Sequence, residues 1–431
     1  MSAPDKAGLV RAIGRWSLAA LVINSIIGSG IFGLPSIVAQ QVGRGAPLAY
    51  LIAAAGMGVI MACFAEVASR FREAGGPYLY ARVAFGRFAG IQMGWLAWLV
   101  RLTSAGANAN LFVIYLGQFW PGAQEPFARA LILLALIGFL AAVNIVGVSA
   151  GARLSNLFTV AKLLPLVAFI IAGLAVARGV HPVGAATGGS GEWLKALLVL
   201  VFVYGGFESA LMPMSEAKNP ERDAPFALFA ALVTCATVYT LIHLVVMTYL
   251  PDPLPAEQPL AAPLAAAARK FMGSAGAALI SVGAMVSVYG LLSGIMLSAP
   301  RLTFAFAEQK DFPEIFARVH ERFRTPHWSI AICAGLMWLV AVKLSFVNNA
   351  VLSAVARLLT YGLVCVALPV LRRKQPGGAA FRLPAWPVFV GLGLVFCVVL
   401  VARMGRAELV VIASTAALAL VNWLWVRRST Q

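Results

Sequence analysis

Charge is scarce in this chain, and acid is scarcest. Only 11% of its 431 residues are Asp, Glu, Lys or Arg, and 16 acids stand against 33 bases. A water-soluble domain needs far more charge, so 61% apolar residues and a mean hydropathy of +0.88 exclude one. Cysteine is sparse too. All five (Cys63, Cys235, Cys333, Cys365 and Cys397) fall within apolar runs, without metal-ligand spacing or loop pairs. They read as small core hydrophobes, and no metal or cofactor is expected. The four histidines form no His-Glu-x-x-His pair, there is no phosphate-binding Gly-x-x-x-x-Gly-Lys, and no two acids face each other within a span. An enzyme is therefore not expected. The net charge of +17 would suit nucleic acid, but the bases sit in short loops between apolar runs, where they set topology; no nucleic-acid partner is expected.

What the chain has is apolar length. Runs of 18 or more apolar residues recur throughout, the mark of an all-α polytopic membrane protein surrounded by lipid. Twelve spans are expected, at about 16–40, 46–69, 88–119, 127–147, 154–177, 193–215, 224–250, 275–307, 328–346, 349–371, 386–404 and 407–427. Residues 1–15 form a polar, basic tail, and the run that follows is too long for a signal peptide. An even number of spans puts both ends on one side. That side collects 21 of the 33 Lys and Arg and the other 9, a bias that places both termini in the cytoplasm of a cell-membrane protein. The loop Glu308 to Pro326 is expected to be helical, Leu260 to Phe271 to form a short surface helix, and Asn348–Asn349 to mark the turn between the ninth and tenth spans.

The first span reads Ile-Asn-Ser-Ile-Ile-Gly-Ser-Gly-Ile-Phe-Gly-Leu over residues 23–34. Glycine disfavours helix by about 1 kcal/mol relative to alanine, and backbone released from a helix inside lipid survives only against protein or a wet cavity. The sixth span is interrupted likewise at Gly205-Gly206, followed by Glu208 at membrane depth. Close packing through small residues would explain either site alone. Two interruptions, in spans running in opposite directions, are what inverted repeats with a site at their interface require.

At this point a resemblance becomes specific. Gly28-Ser29-Gly30-Ile31-Phe32, Gly206-Phe207-Glu208-Ser209 with Glu216-Ala217-Lys218-Asn219-Pro220, Arg70 to Tyr78, Ala299-Pro300-Arg301, and Phe316 to His320 with Arg324-Thr325-Pro326 resemble signatures of the amino acid–polyamine–organocation superfamily. The resemblance covers about residues 16–370. It implies amino acid transport and a five-plus-five inverted repeat with helices 1 and 6 broken. The first repeat would be 16–177, the second 193–371, with two further helices in 386–428.

An amino acid brings a carboxylate and an ammonium. Amides at a half-helix N-terminus suit the first, which points to Ser29, Gly30 and Ile31. Free carbonyls suit the second, which points to Ile26, Phe202, Val203 and Gly205. Phe207 is a candidate aromatic lid, with plain helix packing as its alternative. Ionisable groups at membrane depth are costly and usually functional. Lys162 matches a superfamily position that stands where related carriers hold sodium, implying sodium-independent symport or exchange; snorkelling is the alternative. Glu208 suits a proton-sensing gate or a static ion pair. By the resemblance, Arg101 lies where arginine–agmatine exchangers contact the substrate side chain; it would repel a cationic side chain and suit a neutral or acidic one. Arg357 faces the same cavity or, like Arg101, neutralises Glu208. Glu66 is expected to pair with a loop arginine, and packing is the better reading for Tyr289, Ser293 and Trp328. Interhelical hydrogen bonding accounts for Asn108 and Asn110. The outer loop Gly117 to Pro126 has no cysteine, so no disulfide-linked accessory subunit is expected, and a monomer or homodimer remains. A polyamine carrier and a non-transporting amino acid sensor are the rival functions.

Overall fold

The computed structural model describes residues 14–71, 75–147, 151–177, 188–211, 218–250 and 262–428. Parts of several expectations lie outside them: the tail up to residue 13, Arg72–Ala74, Glu216–Ala217 and Leu260–Ala261 of the expected surface helix. The described residues form helices and no strand. In chain order these are α1 (Arg15–Ile26), α2 (Ser29–Gly33), α3 (Pro35–Val42), α4 (Ala46–Ala68), α5 (Gly76–Phe85), α6 (Arg87–Leu116), α7 (Pro126–Val146) and α8 (Gly151–Val176). There follow α9 (Ser190–Tyr204), α10 (Phe207–Ala210), α11 (Pro220–Tyr249), α12 (Pro263–Glu308), α13 (His327–Lys343), α14 (Phe346–Lys374), α15 (Trp386–Val401) and α16 (Arg406–Arg428). Eight helical segments are long and apolar enough to cross a membrane, and Lys162–Val176, α13 and α15 are shorter apolar ones. This is a polytopic membrane protein.

Burial separates the inner helices from the outer. The most apolar stretch of α6 is 78% buried and packs against α5, α12, α13, α14 and α16, whereas that of α16 is only 17% buried. Exposed Leu409, Val410, Leu418 and Val421 on α16 are the surface of a helix that faces lipid tails rather than water. Prolines start α3, α4 and α5 in their first turns, where the missing N–H costs nothing.

Three local expectations are corrected. Pro263, Leu264, Ala265, Ala267 and Ala268 are buried, so the alanine-rich stretch is not a surface helix. It is the first part of α12, bent at Gly273, where φ is +69°. Alanine there serves close packing, which composition does not distinguish from exposure. Between α12 and α13, helix is limited to a 3₁₀ turn at Glu314–Ala317. The turn before α14 falls at Leu344–Ser345 rather than at the asparagines: the Ser345 Oγ accepts from the Asn348 N–H at 3.1 Å and caps the helix.

Candidate functional site

Both expected interruptions are present. Between α1 and α2, Ile27 is extended and Gly28 takes φ −135°, ψ −149°. Between α9 and α10, Gly205 is extended and Gly206 takes φ +110°, a conformation that favours glycine. The two breaks touch. A Cβ on Gly206 would stand 2.2 Å from the Ser25 carbonyl oxygen, and one on Gly30 would stand 3.0 Å from the Val203 Cα. Glycine is thus needed for close approach of one broken helix to the other.

The freed carbonyls find cationic and hydroxyl donors. Lys162, on α8 and fully buried, donates from Nζ to the Asn24 and Ile27 carbonyls, each at 2.9 Å. An ammonium at the carbonyl end of a helix is favoured electrostatically, and this geometry replaces snorkelling as the account of Lys162. The Tyr239 hydroxyl of α11 lies 3.2 Å from the Ile26 carbonyl and 3.4 Å from that of Val203, so its single proton is shared between the two breaks. At the start of α2, the Ser29 N–H donates to Asn108 Oδ1 at 3.3 Å, and Asn108 Nδ2 donates to the Ser104 carbonyl at 2.7 Å.

A cavity of about 820 Å³ lies between the breaks and runs toward Pro77 and Arg301. The end of the bundle it runs toward is the one where α6 begins and α12 ends. Ile26, Ser29, Gly30, Phe202, Gly205, Arg101, Glu208 and Arg357 line it. Ile31, Val203, Phe207 and Lys162 are not in its wall. Phe207 packs edge-on against Phe64, 5.1 Å between ring centroids, and against Tyr361, so in this conformation it is core and not a lid. Tyr289 and Ser293 do line the cavity, contrary to the packing reading, because α12 turns a Gly/Ser-rich face to it. Trp328 is 43% exposed and elsewhere.

Glu208 is the hub of the ionic network. One oxygen, Oε1, pairs with Arg357 Nε at 3.1 Å. The other, Oε2, accepts from the Tyr361 hydroxyl and from the Gly206 N–H, each at 2.9 Å. Arg357 reaches on to Ser104 Oγ at 3.2 Å. Arg101 donates to Ser298 Oγ at 2.7 Å. Arg357 thus pairs directly with Glu208, and Arg101 reaches the α12 wall through Ser298. Such a buried pair fixes geometry more than it stabilises. Glu66 pairs with Arg70 at 2.8 Å and Arg372 at 2.5 Å and accepts from the Leu383 N–H, a static tie as expected. Asn110 accepts from Arg129 at 2.8 Å and takes no part in the cavity.

Sequence reasoning missed Tyr239, Tyr361, Ser104 and Ser298, and gave Asn108 only interhelical hydrogen bonding, not a place at the site. Arg101, Ser104 and Asn108 are spaced i, i+3, i+7, one face of α6, and that polar stripe was the available signal for two of them. Tyr239 and Tyr361 sit in otherwise apolar stretches and give none.

The chain matches the family model described as "Amino acid permease" over residues 13–423. It is 29% identical to the serine/threonine exchanger SteT of Bacillus subtilis over 399 residues, 88% of each chain. It is 31% identical to an uncharacterized transporter of Mycobacterium tuberculosis over 396 residues, 85% of this chain and 81% of the relative. With the branched-chain amino acid permease BcaP of B. subtilis the identity is 24% over 421 residues, 93% and 90% of the two chains.

Proposed function

This chain belongs to the amino acid permease family, and from that premise we propose that it is a sodium-independent, alternating-access carrier of neutral or acidic amino acids in the cell membrane. In this reading twelve spans form a five-plus-five inverted repeat, residues 16–177 and 193–371, with two helices in 386–428 and both termini in the cytoplasm. It works as a monomer or homodimer without a disulfide-linked subunit.

The observation that carries the reading is the meeting of two interrupted helices at one cavity, with their backbone groups in its wall. The substrate carboxylate takes the amides of Ser29 and Gly30, which line the cavity, and Asn108 gives up its hold on the first. The ammonium takes carbonyls among Ile26, Phe202 and Gly205, with Tyr239 yielding that of Ile26. Lys162 supplies the fixed charge that sodium supplies in related carriers. Arg101, steadied by Ser298, presents a cation and hydrogen-bond donors to the side-chain end of the cavity, while Glu208 neutralises Arg357. The likeness to a serine/threonine exchanger supports a small hydroxylated side chain.

The test is uptake of radiolabelled amino acids into sodium-free proteoliposomes, with and without internal counter-substrate, at two pH values. Serine, threonine or glutamate is expected to outrun arginine and lysine. A cationic winner discards the Arg101 assignment, and no uptake of any amino acid discards the carrier.

A further inference from the structure

His243 lies fully buried on α11, and among the described residues neither ring nitrogen has a hydrogen-bond partner. Its ring stands 5.0 Å from that of Tyr50 on α4, whose hydroxyl is likewise buried and unpartnered. The Thr240 hydroxyl, one turn earlier on α11, is a third such group. Buried polar atoms are nearly always satisfied, so several orphans together require an explanation. Cysteine, tyrosine and histidine at 235, 239 and 243 are spaced i, i+4, i+8, which puts them on one face of α11. That face carries the Tyr239 hydroxyl to both breaks, and every side chain along it is buried.

The surroundings define what the imidazole does. From α4 it faces Tyr50, and Tyr204 of α9 stands behind, its hydroxyl on the Tyr50 carbonyl at 3.1 Å. On α11 itself come Tyr239 and then Cys235, and beyond them Lys162 of α8, held on the α1 carbonyls. Helix α3 carries no ionisable side chain. Arg15 of α1 pairs with Asp223 at the other end of α11. Of the ionisable groups on α12, Arg269, Lys270, Arg301 and Glu308 are exposed, and Tyr289 lines the cavity. The buried acids Glu66, Glu208, Asp223 and Asp311 each pair with arginine elsewhere. Among the described residues the ring is thus left without a carboxylate partner. His243 is six residues, about 9 Å of helix, from the α11 end at Tyr249, and Tyr50 is near the start of α4. Both lie in the half of the bundle away from the cavity mouth.

We propose, on the carrier reading above, that His243 is the proton-binding site of this protein, loaded from the end of the bundle opposite the substrate cavity. When that end opens, water reaches the ring, and a proton adds to the bare nitrogen to give the imidazolium. When the cavity end opens instead, the N–H bond breaks and the proton passes to water entering from that side, returning the ring to its neutral form. Only the N–H bond forms and breaks.

Wild type, His243→Gln and Tyr50→Phe are reconstituted and assayed with radiolabelled L-serine, L-leucine and L-glutamate. Counterflow is measured at symmetrical pH. Net uptake is measured in empty vesicles under an acid-outside gradient, with lumenal pH followed by a trapped dye. Wild type is expected to accumulate substrate and acidify the lumen. His243→Gln keeps counterflow and loses both responses, and Tyr50→Phe keeps counterflow with a displaced pH profile for acid-driven uptake. Acid-driven accumulation in His243→Gln overturns the inference. So does a wild type that shows counterflow but no acid-driven uptake, which leaves the carrier reading intact. Should His243→Gln not fold, an unchanged pH profile in Tyr50→Phe overturns it. Absence of counterflow in wild type counts against the carrier itself.

Discussion

At the scale of single residues, contact distance separates glycines that must be glycine from those that need not be. Gly206 combines a left-handed φ with a Ser25 oxygen 2.2 Å from any added Cβ, and backbone cannot step aside as a side-chain tip can. Gly206→Ala is expected to abolish uptake even where the protein still reaches the membrane, as transport assays beside surface expression will show. Gly294 lines the same cavity, and a Cβ there meets nothing within 4 Å. Gly294→Ala is expected to leave folding intact and to discriminate against the bulkiest substrates in the panel. Glu66 offers a stability test. Its carboxylate is buried against an equally buried Arg70, and removing one partner of a buried pair costs about 3–5 kcal/mol. Glu66→Ala is expected to lower the melting temperature in detergent clearly, with little change in substrate selectivity.

At the scale of elements, caps and breaks decide the architecture. Ser345 caps the start of α14, and Ser345→Ala is expected to cost about 1 kcal/mol, visible as a small thermal shift. The helix breaks were legible because glycine inside an apolar run is costly enough to need a reason. The Glu66 pairing was legible because a buried acid beside loop arginines has few other fates. The alanine-rich start of α12 was not: small apolar residues serve equally for exposed helix and for tight packing, and only the neighbours decide. The asparagines near 348 misled for a similar reason, since Asn is common in turns and in the first turn of a helix, and the serine three residues earlier was the better marker. Tyr239 and Tyr361 were invisible because their partners are backbone carbonyls and an acid far away in sequence, a pairing that no local pattern records.

At the scale of the whole molecule, the structure is asymmetric about the breaks. One end holds the cavity. At the other, the Tyr115 hydroxyl seals onto the Phe32 carbonyl at 2.8 Å, and the buried start of α12 is packed in. Ser298→Cys, in the cavity, is expected to react with a membrane-impermeant thiol reagent from the cavity side only, and Phe346→Cys to stay protected until the conformation switches. The five native cysteines are buried and give a quiet background. The mutual contact of the two breaks has a further consequence for leakage. With Gly206 resting on Ser25 and Gly30 on Val203, the two breaks lie directly against each other. On the carrier reading, the two breaks are expected to move as one piece when either end opens. On the carrier reading, breaks that move together are expected to keep solute from slipping past unescorted.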